Sequence, residues 1–197
     1  MRFEETRLCG AWLIELAPAR DQRGSFARTF CVQAYADHGL TTGFVQHSTS
    51  HSVARGTLRG MHFQRAPHSE VKVVRCLRGA IWDVIIDLRP RSPTYRCWQG
   101  FELTADNQRQ LYVPEGFAHG FQTLCADTQV GYLISAFYAP LAASGVRYDD
   151  PAFGIDWPLP LTEISDKDRA WPDFRDSPPD SKYSEDDLPP PDSAQAN

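Results

Sequence analysis

Residues 71–138 constrain the fold more than any other part of the chain, because short β-branched runs there are broken at close intervals by turn residues. Residues 71–77 and 80–88 are two such runs, with Arg78-Gly79 between them as a hairpin signal. Asp83 and Asp87 are four apart, so strand alternation puts both on one face. Residues 100–103 and 110–113 continue the series, with Asp106-Asn107 as the turn between them and Pro114-Glu115-Gly116 closing the second. Residues 121–124 and 130–138 read as a further hairpin about Ala126-Asp127. Helix signals are confined to residues 31–38, ending at Gly39 as a C-cap, and to a short stretch at 165–169 with Ser165 as N-cap. Many short strands and two short helices predict an all-β sandwich or barrel.

A chain of 197 residues is most economically one domain with a sizeable core. That domain is expected over 1–174. From 175 to 197 the text turns acidic and proline-rich, as in Asp176-Ser177-Pro178-Pro179-Asp180, and reads as a mobile tail without a catalytic part. The formal charge of -5 argues against nucleic acid or an anionic membrane as a partner. Five scattered cysteines with no CxxC argue against a disulfide framework and a thiolate zinc site. The first residues carry no apolar signal region, and no run reaches membrane-spanning length, so a reduced cytoplasmic protein is expected.

Three clusters bear chemistry. In Leu58-Arg59-Gly60-Met61-His62-Phe63-Gln64, a histidine able to take a proton near neutral pH stands three residues after an arginine able to grip phosphate. Taken alone, His62 is more readily a structural histidine whose ring nitrogens are satisfied by backbone. Arg55, Arg59 and Lys72 in the same region favour an anionic ligand. The second cluster runs from Pro114 through His119 to Phe121, and its Pro-x-Gly-x-x-His spacing is similar to the second metal motif of cupin barrels. The first cupin motif would need His-x-His, and here Gln64 replaces the second histidine. Two histidines without a clear third ligand make a poor transition-metal site, so no metal is expected. The third is Tyr132, by default a packing tyrosine, but a phenol able to act as a general acid in a pocket.

With these clusters the chain resembles the dTDP-4-dehydrorhamnose 3,5-epimerase family over about residues 10–168. The motifs that carry the resemblance are Arg23-Gly24, Phe44-Val45-Gln46, the run 58–64, Lys72, Ser92-Pro93-Thr94, Asn107 with Arg109-Gln110-Leu111, the run 114–121, and Gly154-Ile155-Asp156-Trp157-Pro158. The resemblance implies a cupin-type jelly-roll barrel with a few short helices, and epimerisation at C3, C5 or both of a nucleoside-diphospho-4-keto-6-deoxy sugar. It implies His62 as the base oriented by Asp168, Lys72 as the stabiliser of charge on the C4 oxygen, and Tyr132 as the opposing acid. Arg59, Arg23 and Lys167 would take the nucleotide end, Gln46 and His119 would line the pocket, and Phe26 or Tyr138 would stack on the base. No cofactor is implied, and a homodimer that exchanges an edge strand is. The chain departs from the family's usual residues at Arg28, His47, Ser48 and Ala143, which are recognition positions. A sugar-nucleotide-binding cupin without catalysis and a 3,4-ketoisomerase are the alternatives.

Overall fold

The computed structural model describes residues 1–175, so the expected tail lies outside the described residues apart from Arg175. In chain order the elements are β1 (Arg2–Glu5), β2 (Trp12–Glu15), β3 (Ala19–Asp21), β4 (Gly24–Phe26), α1 (Val32–Asp37), β5 (Gln46–Ser52), β6 (Leu58–Gln64), β7 (Lys72–Arg78), β8 (Ala80–Asp87), β9 (Trp98–Thr104), β10 (Gln110–Val113), β11 (Phe117–Thr123), β12 (Thr128–Ile134), β13 (Ala143–Gly145) and α2 (Asp166–Arg169). A six-stranded sheet in the order β1-β2-β10-β7-β12-β5 faces a five-stranded sheet in the order β13-β6-β11-β8-β9. β3 and β4 form a separate two-stranded arm. The fold is the expected all-β jelly roll.

The expected hairpins require correction. β7 pairs with β10 and β12, whereas β8 pairs with β11 and β9, so Arg78-Gly79 is a crossing between sheets. The same holds for the Asp106-Asn107 turn, because β9 and β10 belong to different sheets. It holds again around Ala126-Asp127, where β11 leaves one sheet and β12 joins the other. Gly79 alone separates β7 from β8, one residue fewer than the shortest common hairpin loop. It takes a φ of 81° against the start of β12, where an added Cβ would stand 2.5 Å from Thr128 Oγ1. The turn residues were read correctly as turns; the strands they join simply do not pair with each other.

Alternation along the strands fills the space between the sheets. Ile81, Ile85, Leu103, Leu111, Phe121 and Val130 are at most 1 % exposed and form one cluster there. Each such side chain contributes about 1.5–3 kcal/mol of burial free energy. The outer face of the six-stranded sheet is covered at Ile14, Val73 and Tyr112 by Tyr35 of α1 and by Leu40. α1 ends on His38 as C-cap, and Gly39 follows at a φ of 68°. Asp83 and Asp87 do share the inward face of β8, and both are fully buried. Asp87 is held by Arg89, Ser92 and Thr94. Burial pushes its carboxyl upward, but these donors outweigh it and leave it below the ordinary carboxylate range.

Candidate active site

The apolar cluster occupies only part of the space between the sheets. Toward the edge strands β5 and β13, and β6 beside β13, the sheets part around a cavity of about 810 Å³. That size suits a nucleotide-sized ligand. The segment from Glu163 to Trp171, which contains α2, forms a further wall.

His62 and His119 are directly opposed across the β6–β11 pair, so both rings point inward. Two glycines allow this approach. A Cβ on Gly60, whose φ is 132°, would stand 2.5 Å from the Cα of Gly120. His62 Nε2 lies 2.6 Å from Asp168 Oδ1, and the other oxygen of Asp168 accepts the Gly60 backbone N–H at 3.2 Å. Ser165 caps α2 by accepting the Asp168 backbone N–H, so the helix start aims the carboxylate at β6. Burial works to raise the Asp168 carboxyl, but the His62 hydrogen bond and charge, with the Gly60 N–H, prevail and hold it below its ordinary value. An ionised carboxylate only accepts, so the His62 proton sits on Nε2 and the lone pair on Nδ1.

The six-stranded sheet supplies the opposing wall. Tyr132 comes from β12, with its ring centroid 6.3 Å from that of His119. Its hydroxyl lies 3.0 Å from Ser50 Oγ on β5. Burial pushes the phenol above its ordinary value, so it stays protonated. Lys72 opens β7 and forms an ion pair of 2.8 Å with Glu70, both nearly buried. His119 Nε2 is 2.6 Å from Asp83 Oδ1, while Asp83 Oδ2 is buried without a partner.

Arg59, Gln46, Tyr138 and Lys167 also line the cavity. Arg59 is braced by donating to Ser52 Oγ and to the His51 carbonyl, and Gln46 accepts the Tyr138 backbone N–H. Lys167 Nζ lies 5.6 Å from the Trp171 ring centroid. Arg23 and Phe26 are not brought to this cavity in the single chain. They sit on the β3–β4 arm, where Phe26 is 77 % exposed and Arg23 pairs with Asp21. Arg55 also lies elsewhere, donating to the Leu124 carbonyl. Of the departures, Ser48 and Ala143 line the cavity. His47 lines a groove with Arg75 on the outer face of the sheet, and Arg28 is exposed beyond the arm.

Gln64 has a structural use. Its amide nitrogen is within hydrogen-bonding distance of the His68 and Phe137 carbonyls and of Glu70 Oε2, and its oxygen accepts the Ala139 N–H. Among the described residues, no group of three His, Cys, Asp or Glu side chains is placed to hold a metal ion. Sequence reasoning missed Glu70, Ser50 and Trp171, and it flagged Asp83 only by its face. Ser50 was reachable by counting in twos from Gln46 along β5. Trp171 had no local signal.

The arrangement places a carboxylate-oriented histidine and a protonated phenol on facing sheets, with a lysine beside the phenol's strand. Such a site can remove a proton from one face of a small molecule and return one to the other. The sequence model of the family described as dTDP-4-dehydrorhamnose 3,5-epimerase matches residues 5–176. A dTDP-4-dehydrorhamnose 3,5-epimerase of Methanothermobacter thermautotrophicus is 46 % identical over 180 residues, covering 90 % of this chain and 96 % of that one. A dTDP-4-dehydrorhamnose 3-epimerase of Streptomyces niveus is 38 % identical over 170 residues, covering 86 % and 82 %. The crystal structure of the Bacillus anthracis 3,5-epimerase with TDP and PPi bound superposes with a TM-score of 0.86 at 42 % identity, covering 88 % of this chain and 99 % of that one. With that agreement in sequence, fold and extent, the chain belongs to the dTDP-4-dehydrorhamnose 3,5-epimerase family.

Proposed function

We propose that the protein epimerises a nucleoside-diphospho-4-keto-6-deoxy sugar, of the dTDP-4-dehydro-6-deoxyglucose type, at C3 and C5. The observation that carries this reading is the His62–Asp168 pair on β6 and α2 facing Tyr132 on β12 across one cavity. The C4 carbonyl acidifies the hydrogens on both neighbouring carbons. His62 Nδ1 takes a proton from one of them, and the electron pair moves to the C4 oxygen as an enolate. Lys72 stabilises that oxygen by its charge, the kind of interaction that contributes most to such reactions. Tyr132 then gives its O–H proton to the opposite face of the carbon, and the carbonyl re-forms with inverted configuration.

Arg59 and Lys167, at the exposed rim, take the diphosphate, and Tyr138, 61 % exposed, stacks on the base. Gln46 and His119 complete the wall. Arg23 and Phe26 act on the cavity of a second copy, which makes the working unit a homodimer. The support is the position of the arm, away from its own cavity, with an aromatic ring left in solvent. Among the described residues, no helix is long and apolar enough to cross a membrane. The five free cysteines suit the cytoplasm.

The test is solvent exchange. Nucleoside-diphospho-4-keto-6-deoxyhexoses are incubated with the protein in D2O and followed at C3 and C5 by NMR or mass spectrometry. Deuterium entering both carbons with inversion is the expected result. No uptake with any substrate would overturn the reading, and uptake at one carbon would restrict it to a mono-epimerase. Product with a displaced carbonyl and unchanged stereochemistry would instead mark a ketoisomerase.

A further inference from the structure

Ser50 occupies a position that the reaction as described leaves without a role. β5 is an edge strand of the six-stranded sheet and, among the described residues, pairs only with β12. Its inward face carries Ser48, Ser50 and Ser52 at every second position. Ser52 is buried and occupied by Arg59, while Ser48 is exposed at the cavity wall. Ser50 lies between them, partly exposed, with its Oγ 3.0 Å from the Tyr132 hydroxyl. Among the described residues, no other hydrogen bond to that hydroxyl is found.

A phenol has one proton. If Tyr132 aims it at substrate carbon, its oxygen must accept from Ser50, so Ser50 Oγ–H donates in the reactive arrangement. After the transfer, Tyr132 is a phenolate in a site that disfavours charge, and it needs a proton before it can invert the second carbon or begin the next turnover. We infer that Ser50 is a proton-relay residue that returns a proton to Tyr132 from solvent through the inward hydroxyl row of β5.

In this step the Ser50 O–H bond breaks as the Tyr132 O–H bond forms. Ser50 Oγ takes a proton in the same event from a water molecule, and hydroxide equivalents are neutralised in bulk by the proton that His62 releases. No alkoxide accumulates and no oxidant or reductant is needed. Positions two residues apart on a strand are about 6.7 Å apart along the backbone, a gap that a short chain of water molecules can bridge, so Ser48 forms the outer station. A hydroxyl both donates and accepts, which is what a relay requires.

The inference rests on Tyr132 being the acid, and its test separates the two claims. Wild type, Ser50→Ala and Ser50→Thr are compared in single-turnover and steady-state epimerisation of a nucleoside-diphospho-4-keto-6-deoxyhexose. Ser50→Ala should invert the first carbon of the first substrate within about 3-fold of the wild-type rate. The second inversion and all later turnovers should be slower by roughly 10²-fold, the low end of the range for a positioned proton-transfer group. Ser50→Thr, which keeps the hydroxyl, should restore steady turnover. Equal slowing of the first inversion and of all later ones would make Ser50 an orienting residue and overturn the relay, as would an Ala variant turning over at the wild-type rate. A proton inventory on the wild-type enzyme in H2O–D2O mixtures requires no variant. A curved plot for product formation is expected, and a linear one, showing a single proton in flight, would overturn the relay. Loss of the whole reaction in wild type would instead refute the epimerase reading.

Discussion

Asp168→Asn is a nearly isosteric change that tests how the base is set. Asp168 is 4 % exposed and both of its oxygens are acceptors, one for His62 Nε2–H and one for the Gly60 N–H. An asparagine has a single side-chain oxygen. If that oxygen keeps Gly60, the amide NH2 meets His62 Nε2, which must then be unprotonated. The proton moves to Nδ1, and the base faces substrate in the wrong tautomer. Losing one charge-assisted hydrogen bond accounts for about 1.5–3 kcal/mol, or roughly 10- to 150-fold in rate. The wrong tautomer adds to this, and the equivalent change in serine-protease triads lowers kcat by about 10⁴. The expected outcome is a fall of about 10³-fold or more in deuterium exchange at C3 and C5, with dTDP binding measured by calorimetry within about threefold of wild type. Exchange within about tenfold of wild type would refute the orienting role. The same residue predicts a pH dependence of stability. Its folded carboxyl is held below the ordinary value, so its contribution is present above the unfolded value of about 3.9 and is lost as pH falls through the folded value. The stability gap between wild type and Asp168→Asn in urea should therefore shrink as pH falls below about 4.

Asp87→Asn should lower unfolding stability by about 3 kcal/mol, the low end for breaking a buried ion pair, because the fully buried carboxylate meets a partly exposed Arg89. Urea denaturation checks this, and exchange activity at low temperature should persist. Gly60→Ala would place a Cβ 2.5 Å from Gly120 Cα at a φ of 132°, so it should reduce soluble folded protein and cost at least about 3 kcal/mol, read by thermal melting. Phe26→Ala should raise KM about 10-fold at nearly constant kcat, since the arm supplies binding rather than proton transfer. In heterodimers of Phe26→Ala with His62→Ala, the cavity that keeps His62 should regain the wild-type KM if the arm serves the other copy, and a KM still raised about 10-fold would place Phe26 on its own cavity.

The strands were legible because β-branched runs alternate with turn residues, and Asp83 and Asp87 could be placed on one face by counting alone. Which strands pair was not legible. Gly79 and Asp106-Asn107 turn the chain whether the next strand lies beside the last or across the barrel, and only the closure of two sheets decides it. The His62–Asp168 pair was accessible only through the family resemblance, since 106 residues separate the two. Glu70, Asp83 as the partner of His119, and Trp171 owe their places to the register of β6, β8 and β11 and to the path after α2. None of these is written in a local pattern. Trp171 illustrates the point: its indole fits because Gly145 has no Cβ, which would otherwise stand 2.4 Å from the ring.

The central claim is that His62 is the base acting on a carbon acid opposite Tyr132. Its most direct test is deuterium incorporation from D2O into dTDP-4-dehydro-6-deoxyglucose, with wild type and His62→Ala measured side by side and dTDP affinity checked for both. The account predicts label at C3 and C5 with wild type, none above background with His62→Ala, and retained nucleotide affinity. Label entering at the wild-type rate with His62→Ala would contradict it.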